Sequence, residues 1–135
     1  MASFNPSDPH CLVITGKDIY KYYKIIDNQT MKCQVNQLTK KESNFSTQYN
    51  AHTWTDDRLI LYTEKGEILL AEQEGDFKML MSESPVGNFK IRYAINSKPN
   101  GFLIADNSGR LMVFELTNDP KAPYHATKTL VSACL

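Results

Sequence analysis

Cysteine is scarce and badly spaced for a cross-linked or metal-built fold. There are three, an odd number, at positions 11, 33 and 134, and no CxxC pair among them. That argues against a disulfide framework and against a structural zinc site. Net charge is absent as well: 15 basic and 15 acidic side chains cancel, and the pI is about 6.8. No general field is left to attract nucleic acid or anionic lipid. No apolar run approaches the roughly 18 residues of a membrane span, and the opening Met-Ala-Ser-Phe-Asn-Pro has neither the basic nor the apolar region of a signal peptide. Cys134 stands one place from the C-terminus, not four, so a prenylation box is missing. No glycine loop for phosphate is present. The expectation is a cytoplasmic chain without cofactor, metal, nucleic acid or membrane.

Helical stripes are also lacking. Short apolar runs between turn residues take their place, which favours an all-β chain. The predicted strands are 11–15, 19–26, 31–35, 49–54, 59–63, 67–71, 77–81, 89–95, 101–105, 111–116 and 126–131. In 89–95 the odd positions are apolar and two of the three even positions are basic. Leu59-Ile60-Leu61-Tyr62 and Leu111-Met112-Val113-Phe114 are apolar on both faces. Such strands must be covered on both sides, so the sheets are expected to stack.

The turns repeat. Thr15-Gly16-Lys17-Asp18, Thr63-Glu64-Lys65-Gly66 and Asp106-Asn107-Ser108-Gly109 each separate two apolar runs. Each carries Gly (Gly16, Gly66 and Gly109), with Asp or Asn in two of the three, as the positive-φ positions of tight hairpins require. A similar strand follows each turn. A repeat of roughly 40–50 residues with about four strands per unit is the pattern of β-propeller blades. A β-sandwich with look-alike hairpins is the alternative.

Three ordered strings then narrow the reading. The first holds Phe4-Asn5-Pro6, Leu12, Ile14, Thr15-Gly16, Asp18 and Lys21-Tyr22-Tyr23. This resembles a WD-repeat blade, in which Phe-x-Pro ends the inner strand and Thr/Ser-Gly-x-x-Asp makes a hairpin. The opening Gly-His is missing, and Tyr22-Tyr23 stands where Trp-Asp is usual, so the blades are divergent. The second string is Ala51-His52-Thr53-Trp54, Asp57-Arg58-Leu59-Ile60, Thr63, Gly66-Glu67-Ile68-Leu69-Leu70 and Glu72. The third is Gly101-Phe102, Ala105, Gly109-Arg110-Leu111 and Phe114-Glu115. In this order they resemble the WD-repeat cilia- and flagella-associated family, whose propellers precede a long coiled coil. The resemblance covers most of residues 3–118.

The family implies a non-catalytic scaffold of the ciliary or flagellar axoneme, docking inner dynein arm or regulatory complex components. A generic cytoplasmic propeller adaptor for peptides is the alternative. The expected blades are about 3–48, 49–87 and 88–135, an incomplete propeller whose open faces call for further blades or self-association. A fragment or short isoform of a longer protein is therefore expected. Gly16, Asp18, Trp54, Gly66 and Gly109 are the candidate structural residues; no catalytic residue is assigned. The polar stretch 37–48 is the candidate contact loop, with a plainly solvated loop as its alternative.

Other chemistry is weak. His10 and Cys11 are neighbours in a strand and point to opposite faces, so a Cys–His dyad is not expected. His52 reads as a packed or hydrogen-bonded blade residue, in preference to a ligand, and His125 as exposed. Asp56-Asp57 reads as a turn pair. Asp106-Asn107-Ser108-Gly109 lacks the further acidic positions of a calcium loop. Tyr20-Lys21-Tyr22-Tyr23-Lys24 is read as inter-blade packing and not as a stacking platform for nucleic acid. The sequons at Asn28 and Asn44 mean little without a secretory route.

Overall fold

A computed structural model describes residues 1–36, 38, 48–55, 57–72, 76–81, 94–105 and 109–131. Its twelve strands form three four-stranded antiparallel sheets, each a simple meander. The first contains β1 (Ala2–Asn5), β2 (Asp8–Gly16), β3 (Ile19–Ile25) and β4 (Met31–Val35). The second contains β5 (Tyr49–Thr55), β6 (Arg58–Thr63), β7 (Ile68–Ala71) and β8 (Phe77–Met81). The third contains β9 (Ala94–Lys98), β10 (Gly101–Ala105), β11 (Arg110–Leu116) and β12 (Tyr124–Val131).

The second sheet lies between the other two. Side chains alternate across a strand, and β6 uses both directions. Leu59 and Leu61 pack toward the first sheet, with Val13, Tyr20, Leu38, Tyr49, Trp54 and Leu69. Ile60 and Tyr62 pack toward the third, with Ile68, Leu70, Phe102, Ile104, Met112, Phe114 and Tyr124. The continuous apolar run therefore reflects burial on two sides, as its sequence requires. In the third sheet Phe102 and Phe114 stack with centroids 4.7 Å apart, and Tyr124 meets Phe102 edge-on at 5.5 Å. Thr55 Oγ1 donates to the Gly101 carbonyl at 2.6 Å, tying the second sheet to the third.

The outward faces of the first and third sheets have no such cover. Phe4, Ile19 and Met31 are exposed in the first and Leu130 in the third, where it pairs with the outward-facing Leu111. They are the counterpart of the doubly covered middle sheet.

Several sequence expectations shift. β1 is a strand in its own right, where the sequence suggested only a strand tail at 3–6; it pairs with β2 as Ala2↔Ile14 and Phe4↔Leu12. β12 starts at Tyr124, two residues before the predicted run. The ninth strand is described only from Ala94 and reaches Lys98. Most of the predicted 89–95 run lies outside the described residues, as do Asp56, Asp106-Asn107-Ser108, Asn44, Cys134 and nearly all of the 37–48 stretch. At the first hairpin the positive φ belongs to Asp18 (55°), not to Gly16, while Gly66 (85°) and Gly109 (84°) do hold left-handed backbone. Aspartate tolerates that region better than most side chains, so the left-handed residue stands two positions after the glycine. Gly101 is required for another reason. A Cβ there would overlap the Phe114 carbonyl oxygen across the β10–β11 ladder.

Candidate binding cleft

The strand order puts the hairpins at two ends of the stack. Gly16, Asp18, Gly66 and Gly109 lie in turns at one end: β2–β3, β6–β7 and β10–β11. The β1–β2, β3–β4, β5–β6 and β7–β8 connections lie at the other. There the first and second sheets part to leave a cavity of about 600 Å³. Trp54 is the predicted residue that reaches this end; the four turn residues are remote from it.

The first sheet supplies Asn5, Asp8, Cys11, Tyr20, Tyr22 and Lys24 to the cavity wall; the second supplies Trp54, Asp57, Leu59 and Glu72. Asp8 is ionised below its ordinary range, because the Cys11 thiol donates to it at 3.2 Å and the His10 N–H at 3.0 Å. Burial pushes the Cys11 thiol up, so it is no reactive thiolate. His10 points away, with Nδ1 3.6 Å from Asp8 Oδ1. The expected separation of His10 from Cys11 is observed. Asp57 sits at φ 63° in the β5–β6 turn. Glu72 is bridged by Lys78 at 3.1 Å. Burial also raises the Tyr20 and Tyr22 hydroxyls, keeping both protonated.

A polar cluster behind the cleft joins the same two sheets. His52 is 1% exposed. Its Nε2 is 2.5 Å from Ser3 Oγ and its Nδ1 is 2.7 Å from Thr15 Oγ1. Trp54 Nε1 donates to Ser3 Oγ at 3.1 Å. All four groups are satisfied when Ser3 donates to Nε2 and Nδ1–H donates to Thr15. Burial, with a smaller push from the N-terminal ammonium, lowers the His52 pKa to about 4, so the ring is neutral. A serine beside a histidine has the outline of a nucleophile and its base. Here the orienting partner is a hydroxyl, not a carboxylate, and Ser3 is already committed to the indole. The cluster fixes β1, β2 and β5 together and sets the angle of Trp54. Sequence reasoning identified His52 as hydrogen-bonded but not Ser3 or Thr15 as its partners.

A second hollow of about 370 Å³ continues across the same end. Pro6, Ser7, Trp54, Thr55, Asp57, Lys98 and Pro99 line it. Tyr23 and Lys21 lie on the other face of β3 from Tyr20 and Tyr22, so the tyrosine-rich strand divides its rings between a cleft and an outward face. His125 is exposed. Among the described residues, no three His, Cys, Asp or Glu side chains group as a metal site, and no helix is long and apolar enough to cross a membrane.

Stacked four-stranded antiparallel meanders define this chain as a set of β-propeller blades. The Cps50 (Swd1) β-propeller domain of Myceliophteria thermophila superposes with a TM-score of 0.65 and 13% identity, covering 95% of this chain and 44% of that one. The periplasmic gluconolactonase PpgL of Pseudomonas aeruginosa superposes at 0.58 with 15% identity, covering 96% of this chain and 38% of its own. Both likenesses speak for the fold alone. No family model matches. In sequence, the chain is 27% identical over 125 residues to cilia- and flagella-associated protein 57 A of Tetrahymena thermophila. That match covers 90% of this chain and 10% of the relative, so the chain spans about a tenth of its length. The resemblance to the cilia- and flagella-associated proteins that the motif order carries is thereby supported across nearly the whole chain.

Proposed function

We propose that this chain is a non-catalytic propeller segment of a ciliary or flagellar scaffold, docking protein components of the axoneme such as inner dynein arm or regulatory complex subunits. The observation that carries this reading is the similarity to a cilia- and flagella-associated protein over 90% of the chain. The architecture suits it. Stacked sheets make a rigid body, and the connections at the two ends are free to meet partners. The open apolar faces of the first and third sheets are surfaces for neighbouring blades, with the sheets acting as blades at about 3–48, 49–87 and 88–135. The reading is tested by tagging the parent protein in ciliated cells. Localisation to the axoneme and co-purification with its components are expected; exclusion from cilia overturns it.

A further inference from the structure

We propose that the cleft between the first two sheets is a recognition pocket for an arginine side chain of a partner protein segment. The ligand is identified by what the walls offer. Asp8, Asp57 and Glu72 present carboxylates; Lys24 lines the same cavity and Lys78 bridges Glu72, so three negative charges face two positive ones and the lining keeps one negative charge in excess. The indole of Trp54 and the ring of Tyr22 supply aromatic surface in the same space. Carboxylates beside aromatic faces select cations over anions and over neutral apolar groups.

The second observation is independent of the acidic residues. Tyr20 is 4% exposed, lines the cavity, and packs its ring edge against Tyr49 at 6.1 Å. Its hydroxyl has no hydrogen-bond partner among the described residues, although buried hydroxyls are ordinarily satisfied. Tyr22 is hydrogen-bonded to the Cys11 sulfur, whose own proton goes to Asp8, and Trp54 is satisfied by Ser3. Tyr20 is the buried polar group of the cleft that is left over. A ligand donor reaching into the cavity would complete it.

Arginine suits this arrangement better than lysine. Its planar fork carries five donors, enough to serve a carboxylate and the Tyr20 oxygen together, and its flat face can lie on the indole. The chain already pairs these groups elsewhere: the Arg58 guanidinium lies 5.6 Å from the Tyr124 ring centroid. The inference deepens the docking reading and rests on it only in taking the ligand to be a protein segment.

Trp54 is the chain's single tryptophan, so its fluorescence reports the cleft directly. The 135-residue chain is titrated with capped Gly-Gly-Arg-Gly-Gly and with the same peptide carrying lysine, citrulline or glutamate. A saturable change is expected with arginine, about tenfold weaker with lysine or citrulline, and absent with glutamate. Asp57→Asn keeps a residue that tolerates the left-handed turn, and Tyr20→Phe removes only the hydroxyl. Each is expected to weaken the arginine peptide about fivefold or more without altering the unfolding midpoint by more than a few degrees. No saturable response, equal responses to arginine and citrulline, or unchanged affinity in both variants overturns the proposal. Capture of axonemal proteins undiminished by Asp57→Asn would remove the cleft and leave the docking reading intact. Arginine binding without any axonemal partner would do the reverse.

Discussion

Burial holds His52 at about 4 against an ordinary 6.5, and this lowering has a definite sign. The folded chain keeps the ring neutral, so protons bind the unfolded chain first as pH falls. Stability from this group is complete above about pH 6.5 and is lost progressively toward pH 4. The full difference is at most about 3 kcal/mol. Unfolding followed by Trp54 fluorescence between pH 7 and 4 should show that decline. In His52→Gln the decline should flatten, while the chain is less stable at pH 7 by about 1–3 kcal/mol because Ser3 and Thr15 lose their buried partner. A wild-type slope in the variant would show that another group titrates. Gly101 gives a second prediction at this scale. Gly101→Ala forces a methyl group into the Phe114 carbonyl, and either β10 or β11 must move. A loss of about 2–4 kcal/mol is expected in denaturant melts; a loss below about 0.5 kcal/mol would mean the ladder yields easily.

At the scale of strands, the strongest sequence signal was the absence of alternation. Leu59-Ile60-Leu61-Tyr62 could be placed in a covered sheet because no polar face was left for water. The same logic yields a contrast. Leu61 and Ile60 point into different cores, so Leu61→Ala and Ile60→Ala should each cost about 2–5 kcal/mol, and by near-independent routes. Leu12 lies on the outward face of β2, opposite Phe4, and Leu12→Ala should cost clearly less than either. Comparable losses at all three positions would mean that the outward face is also packed. Where the signal was local, the sequence was readable: the bounds of β4, β8 and β10 follow directly from apolar runs between turn residues. β1 was less legible, since four residues ending before a proline carry too little periodicity. The first hairpin was legible only in part, because glycine and aspartate both tolerate positive φ and only the backbone shows that Asp18 uses it. The cleft was not legible at all. Tyr20 and Trp54 are far apart in sequence, and nothing in either segment states the register that brings one hydroxyl into a cavity without a partner.

For the whole molecule, the decisive contrast is between a middle sheet covered twice and flanking sheets covered once. The middle sheet explains why the chain holds together: two apolar interfaces share it, and Thr55 and His52 add polar ties on either side. The flanking sheets present exposed Phe4, Ile19, Met31 and Leu130 on their outward faces, with no net charge on the chain to keep copies apart. Apolar sheet faces of this kind associate in water. The isolated chain should therefore show concentration-dependent association by sedimentation. Charge introduced on one face, as in Phe4→Lys with Ile19→Lys, should shift it toward monomer without disturbing the His52 cluster, so the pH dependence of unfolding would persist. A wild-type chain that stays monomeric over a wide concentration range, with one cooperative transition, would mean that one-sided burial suffices for the flanking sheets. In that case the apolar residues on their outer faces would lose their reading as contact surfaces for neighbouring blades, and docking would have to rest on the turns and the cleft between the first two sheets.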